Sequence, residues 1–190
     1  MSLADRDALL SGLIGQVWPF APLLDAVQIA PTARVLDIGG GKGGLLAELQ
    51  RQGHAGQGEL VDLQSGTDAH ALPFADASFG AVFMVLVPAH FEDPARALAE
   101  ALRVLALDGQ LIAAAHGPRH LAELFGPGLP VQMSDAENGG TCRSLEIILS
   151  VVLTISEQQA LAKSYGRQPR PLTDMQATLH LSGWRLRRGG

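Results

Sequence analysis

The sequence predicts an α/β domain built on a doubly wound, mostly parallel sheet. Three observations carry that reading. First, Arg34-Val35-Leu36-Asp37-Ile38 is a short apolar run that ends in glycines. Leu45, Leu46 and Leu49 then share a helical face as far as Gly53, so a strand, a glycine loop and a helix follow one another. Second, Gly80 to Val87 is nearly all apolar, the pattern of a strand buried on both faces. Third, Asp93 is a good N-cap and Pro94 a good first helical residue for the apolar stripe Leu98, Ala101, Leu102 and Leu105. Asp108-Gly109 stops that helix, and Gln110 to Ala115 reads as the next strand. Strands that alternate with helices in this way build a mostly parallel sheet.

The remaining elements follow in order. Ser2 to Ile29 reads as helical pieces broken at Trp18-Pro19 and Ala21-Pro22. Glu59 to Leu63 reads as a second short strand, Pro118 to Phe125 as a short helix, and Gly126 to Gly140 as loop. Leu145 to Ser156 alternates apolar and polar residues, which favours a strand, although Leu145, Ile148, Leu149 and Val152 also fit a helix. Pro171 to Leu181 is expected to be a last helix capped by Gly183, and Trp184 to Arg188 a final strand. The expected organisation is a single domain over 1–190, with an N-terminal helical cap (1–30), a core (31–116) and a C-terminal part (117–190).

Composition narrows the classes. A chain of 190 residues with 47% apolar and 17% charged residues suits one packed domain and argues against disorder. The longest charge-free stretch, Ala8 to Leu24, is broken by Gly12, Gly15, Pro19 and Pro22, so no membrane span is expected. No basic region leads an apolar run after Met1, so no secretory signal is expected. Cys142 is the single cysteine, which excludes a disulfide within the chain and a multi-cysteine zinc site and favours the cytoplasm. A net charge of -5 gives no overall pull toward nucleic acid. The basic residues Lys163, Arg167, Arg170, Arg185, Arg187 and Arg188 near the end read as a solvated face.

The loop Asp37-Ile38-Gly39-Gly40-Gly41-Lys42-Gly43-Gly44 lies where open α/β sheets bind ligands. A phosphate-cradling P-loop needs Ser or Thr after Gly-Lys, and here Gly43 stands there. A dinucleotide site is satisfied literally by Gly39, Gly41 and Gly44, with Glu59 or Asp62 in range of a ribose, but the triplet is weak among 22 glycines. Asp37 would repel a pyrophosphate. It suits a ligand carrying an amino group and a sulfonium.

That ligand is S-adenosylmethionine, and Val35 to Gly43 resembles the first motif of the class I methyltransferases, particularly those acting on small molecules. Asp68-Ala69-His70-Ala71-Leu72-Pro73-Phe74-Ala75-Asp76-Ala77-Ser78-Phe79 is similar to the segment after that family's third strand, and the match continues through Leu111. The resemblance implies a Rossmann-like methyltransferase fold with the cofactor at the carboxyl ends of the family's first, second and fourth strands. It implies that Asp37 and the backbone of Gly39, Gly40 and Gly41 hold the methionine end. Asp62 would bind the ribose hydroxyls, with Glu59 as the alternative. Asp68 would accept from the adenine amino group, with the Ala69 amide on the ring and Leu63 and Leu72 lining an apolar slot. Met84 and Val85 would line the methyl through backbone. The sequence departs from the family in three places. Only five residues separate Asp62 from Asp68, so a sheet edge is expected to be shortened. Gly80 stands where the family usually has Asp. The last strand is expected either to be missing or to be replaced by Leu145 to Ile155.

Methyl transfer needs position first, and a base only where the acceptor must lose a proton. His116, after the strand Gln110 to Ala115, is the candidate base or acceptor contact. His54 and His70 show no carboxylate partner at telling spacing, and Gly117-Pro118 argues against a helical metal pair of His116 and His120. Trp18 and Phe20 read either as a lid or as plain helix packing. The expected protein is a methyltransferase for a small-molecule acceptor, with no metal. The alternatives are a nicotinamide-dependent oxidoreductase and a non-catalytic relative serving as a cofactor-binding or interaction protein. A homodimer through the apolar face of Leu145 to Ile155 is expected unless a helix at Pro171 to Leu181 covers that face.

Overall fold

The computed structural model describes residues 3–128, 140–169 and 173–188. Its elements run α1 (Leu3–Ile14), α2 (Phe20–Ala26), β1 (Val35–Ile38), α3 (Gly44–Arg51), β2 (Gly58–Val61), β3 (Phe79–Val85), α4 (Pro94–Val104), β4 (Leu105–His116), α5 (Ala122–Phe125), β5 (Gly140–Leu153), α6 (Ile155–Tyr165) and β6 (Met175–Arg188). One six-stranded sheet has the order β2-β1-β3-β4-β6-β5. β1 pairs in parallel with both β2 and β3, and β3 in parallel with β4. β6 runs the other way. The Gly117 N–H donates to the His180 carbonyl at 2.8 Å, a Cβ on Gly183 would strike the Ala113 carbonyl, and Arg188 reaches the Leu105 carbonyl at 2.6 Å, so partner numbers fall as the strand advances. The α/β class with a mostly parallel sheet is therefore present. No helix among the described residues is long and apolar enough to cross a membrane.

The described residues divide into two compact units: residues 28–115, 140–145 and 183–188 in the first, and residues 3–27, 116–128, 146–169 and 173–182 in the second. In the first unit the strand reading is simple. All four β1 residues are buried, and only Gly80 of β3 escapes full burial. Burial on both faces removes the alternation a half-exposed strand would show. Ala97, Ala101 and Val104 of α4 are fully buried, with Leu98 and Leu102 packed beside them. Asp93 caps α4 as expected, its carboxylate accepting the Arg96 N–H at 3.0 Å.

Several expectations are corrected. Asp108-Gly109 does not stop α4, which ends at Val104. Asp108 instead sits inside β4 at φ +62, where the register jumps from Phe79↔Leu105 to Ala81↔Gln110. A bulge absorbs the extra residues. Ala21-Pro22 does not break the N-terminal helices, because Pro22 lies in the first turn of α2, where no intrahelical N–H bond is lost. Pro171 lies outside the described residues, and the helix expected through Leu181 is strand from Met175 onward. Ala177, Leu179 and Leu181 are buried on one face, Gln176 is exposed and Thr178 half-buried, and His180 on the other face is buried by its own contacts. Gly183 therefore caps nothing.

The alternation that begins at Leu145 does resolve as strand. Ile147, Val151 and Leu153 of β5 are buried within the chain, so the apolar face expected to need a second copy is already covered. The exposed apolar residues are Ile148 and Val152, on the opposite face. The shortened sheet edge is present as well. β2 lies last on its side of the sheet, and a 3-10 turn at Leu63–Ser65 follows it in place of a helix and strand. At the other end the last strand is not missing, since both β5 and β6 join the sheet.

Candidate functional site

The first unit gathers most of the expected site residues at the carboxyl ends of β1, β2 and β3. Asp37 is the third residue of β1, opposite Leu60 on one side and Phe83 on the other. Its side chain is buried, and Oδ2 has no hydrogen-bond partner among the described residues. Burial first, and the negative charge of Asp62 second, push its carboxyl up to about 7. A buried acceptor without a donor is costly unless something supplies one.

The loop around this carboxylate is shaped by glycine. A Cβ on Gly40 would occupy the space of the Asp37 carboxylate and the Leu60 side chain, and one on Gly39 would strike Val87, in the turn after β3. Gly39, Gly41 and Gly43 all have positive φ, which other residues rarely adopt, and the space above Gly41 is open. The Gly39 N–H donates to the Val61 carbonyl at 2.6 Å, tying the loop to the end of β2. Asp62 ties it again: its Oδ2 accepts the Gly41 N–H at 3.2 Å, and its Oδ1 the Gln64 N–H at 2.8 Å. Glu59 faces elsewhere, bonded to Arg34 at 3.0 Å and to Gln57.

Asp68 is exposed, and two hydrogen bonds from His70, one from its N–H and one from its ring, hold the carboxyl below the usual carboxylate range. His70 thus has a carboxylate partner two residues away, contrary to expectation; an Asx-type turn places it there. Ala69 and Leu72 are buried in the core, whereas Leu63 is exposed, so the two leucines expected to form one slot lie in different surroundings. Arg103 of α4 fixes this segment by donating to the Leu72 and Phe74 carbonyls and to Asp76 and Glu100. Met84 is buried in the core, leaving backbone at the strand end. The chain turns there through Leu86 at φ +58, a strained conformation for leucine that its N–H bond to the Ala114 carbonyl at 2.7 Å holds in place.

The second unit holds a cluster of rings. His116, the last residue of β4, stacks on His120 at 3.9 Å, and His120 stacks on Trp18 at 5.7 Å. The Tyr165 hydroxyl lies 3.0 Å from His120 Nε2, and the Arg6 guanidinium lies over the Tyr165 ring. The His180 N–H donates to His120 Nδ1, so Nε2 carries the His120 proton. Burial and then Arg6 lower His116 to about 4, and burial first, with His116 and Arg6 after it, lowers His120 well below the usual imidazole range. His116 is therefore neutral at pH 7, its Nε2 is buried without a hydrogen-bond partner among the described residues, and it is a weak base. Trp18 is 1% exposed and reads as packing rather than lid. The ring cluster was not legible in the sequence, because Arg6, Trp18 and Tyr165 lie far along the chain from His116 and His120.

A mostly parallel sheet with a glycine loop and acidic side chains at its strand ends defines a Rossmann-like α/β class. The comparisons narrow it. Residues 36–113 match the family model described as a methyltransferase domain. The chain is 34% identical over 122 residues to malonyl-[acyl-carrier protein] O-methyltransferase of Halorhodospira halophila, across 54% of this chain and 41% of that protein. It therefore spans less than half the length of that relative. Among solved structures, a candidate methyltransferase of Bacillus halodurans C-125 is similar with a TM-score of 0.57 at 18% identity, covering 90% of this chain and 99% of that one. A chain from the complex of the Haloferax volcanii Trm112 methyltransferase activator with a candidate methyltransferase also has a TM-score of 0.57, at 17% identity, covering 98% and 96%. At such identities the structures speak for the fold alone. Motif, fold and domain match agree in their likeness to methyltransferases: residues 36–113 match a methyltransferase domain, and the chain shares its α/β fold with methyltransferase structures.

Proposed function

We propose that this protein binds S-adenosylmethionine and transfers its methyl group to a small-molecule acceptor. The observation that carries the reading is the buried Oδ2 of Asp37 beside Gly40, which has no hydrogen-bond partner among the described residues. It fits the donated N–H groups of an amino acid ammonium and does not fit a pyrophosphate, which the same carboxylate would repel. Asp37 and the Gly39 to Gly41 backbone would hold the methionine end, Asp62 the ribose hydroxyls, Asp68 and the Ala69 amide the adenine, and the backbone at Met84 the region of the methyl. Bound there, the cofactor supplies an activated methyl on a sulfonium, and the chain supplies orientation. The proposed location is the cytoplasm.

His116 is the proposed acceptor contact, as a hydrogen-bonding group rather than a base. A group titrating at about 4 is far from the neutral range in which general bases work best. An acceptor already ionised at neutral pH needs no base. That favours a carboxylate oxygen, in line with the relative named for O-methylation of a malonyl group on a carrier protein. A homodimer remains a proposal, resting on β5 lying last in the sheet with Ile148 and Val152 exposed.

Thermal shift separates the cofactor readings. S-Adenosylhomocysteine at 100 times its dissociation constant adds about 2.7 kcal/mol, and NAD adds nothing. Stabilisation by NAD alone would reverse the reading toward an oxidoreductase. Binding of S-adenosylmethionine without turnover across carboxylic, phenolic and amine acceptors would favour the non-catalytic relative.

A further inference from the structure

We propose that His70 is a positioning residue that fixes the Asp68 carboxylate for the exocyclic amino group of adenine, an inference that rests on the cofactor reading above. His70 puts two donors on one oxygen. Its backbone N–H reaches Asp68 Oδ1 at 2.9 Å, and its ring Nδ1 reaches the same atom at 2.6 Å. The tautomer is set from the other side of the ring. Nε2 accepts the Asp93 N–H at 3.2 Å, so it carries no proton, and Nδ1 must be the N–H that donates.

The ring is a strut with both ends attached. Asp93 is the N-cap of α4, bonded through its carboxylate to the Arg96 N–H, and the Arg96 side chain returns a bond to the His70 carbonyl at 3.0 Å. Phe91 meets the imidazole edge-on at 6.0 Å. Asp68 is joined in this way to the start of a helix whose other end is buried in the core.

The consequence falls on the second oxygen. Asp68 is an exposed side chain in a turn, and its carboxylate would otherwise rotate freely. Two bonds to Oδ1 remove that freedom, and Oδ2 has no hydrogen-bond partner among the described residues. One acceptor atom is thereby held in one direction before any ligand arrives. Ordering a group in advance removes an entropy cost from binding. An amino group on a planar base is a donor that such an acceptor can select, and a carbonyl oxygen in its place is not.

The rival role is a purely structural tie between this turn and α4. It would weaken all nucleoside ligands alike. The test uses the full chain and isothermal titration with two ligands, S-adenosylhomocysteine and S-inosylhomocysteine, in which a carbonyl replaces the amino group. The unmodified protein is expected to prefer the adenosyl ligand. His70→Ala is expected to weaken that ligand by about tenfold, the scale of one hydrogen bond to a charged group, and to leave the inosyl ligand unchanged. His70→Asn keeps an N–H near the Nδ1 position and restores the preference. His70→Gln reaches toward the Asp93 N–H, not Asp68, and does not restore it. Equal weakening of both ligands in His70→Ala, or rescue by Gln and not by Asn, overturns the proposal. Should the Ala variant fail to fold, the Asn and Gln pair decides alone. Binding of neither ligand by the unmodified protein overturns the cofactor reading and this proposal together, and shows itself before any substitution is made.

Discussion

Burial of Asp37 destabilises the ligand-free fold once its carboxyl ionises, whereas on the proposed reading the same carboxylate would receive a ligand's ammonium. The Asp37 carboxyl is pushed up to about 7 in the fold against 3.8 in an exposed chain, so burial first and the charge of Asp62 second disfavour the ionised form by about 4 kcal/mol. The sign follows from the direction of the shift. A raised folded-state value contributes stability that is present below pH 4 and is lost as the pH rises through 7. Asp37→Asn removes this titration. The variant is expected to melt above the unmodified protein at pH 8, with the gap closing as the pH falls toward 4, and to lose S-adenosylhomocysteine binding. For the unmodified protein, affinity for that ligand is expected to rise about tenfold from pH 6 to pH 8, as the carboxyl ionises to receive an ammonium. Calorimetric melting and titration across this range check both statements. A gap that stays constant with pH would mean that Asp37 is ionised at low pH in the fold.

At the scale of elements, Arg103 decides whether the turn-rich segment after β2 keeps its shape. It donates to two backbone carbonyls, at Leu72 and Phe74, and to the carboxylates of Asp76 and Glu100. Glu100 in turn accepts the Leu72 N–H at 2.8 Å. Arg103→Ala leaves these acceptors short of donors, and is expected to cost about 2 kcal/mol on chemical denaturation. Arg103→Lys is expected to recover little, since one ammonium cannot reproduce the planar fork. A loss under 0.5 kcal/mol, on the order of an ordinary surface substitution, would refute this account. The elements also show what a sequence exposes. β1, α3, β3 and α4 were legible because local pattern and tertiary role agree in them. α6 was missed, although Thr154 and Glu157 form a capping box, because the apolar alternation of β5 was carried across its start. In β6, Trp184 to Arg188 was read correctly as strand, but Met175 to Leu181 was misread as helix because an apolar segment of that length serves either element until its neighbours are known. In the candidate site, Asp37 and the glycines were legible as one contiguous motif. His70 was not, since its partner Asp93 lies 23 residues away.

Over the whole molecule, the shortened sheet edge changes where protection comes from. Among the described residues β2 pairs only with β1, and the chain beyond it runs to β3 through turns. Its backbone is held by side chains: Asp62 on the glycine loop, Arg103 and Glu100 on Leu72, and His70 between Asp68 and Asp93. Amides outside a strand ladder open locally at low cost, so residues 62–78 are expected to exchange with solvent faster than β1 or β3. A ligand held by Asp37, the glycine loop, Asp62 and Asp68 would close these openings. At 100 times its dissociation constant it raises the cost of each opening that excludes it by about 2.7 kcal/mol, or roughly a hundredfold in exchange rate. Hydrogen exchange followed by mass spectrometry is therefore expected to show slowing in residues 37–44 and 60–72 with S-adenosylhomocysteine, and none with NAD. Slowing confined to other segments would show that the ligand binds elsewhere, and the glycine loop would then have to be given a different role.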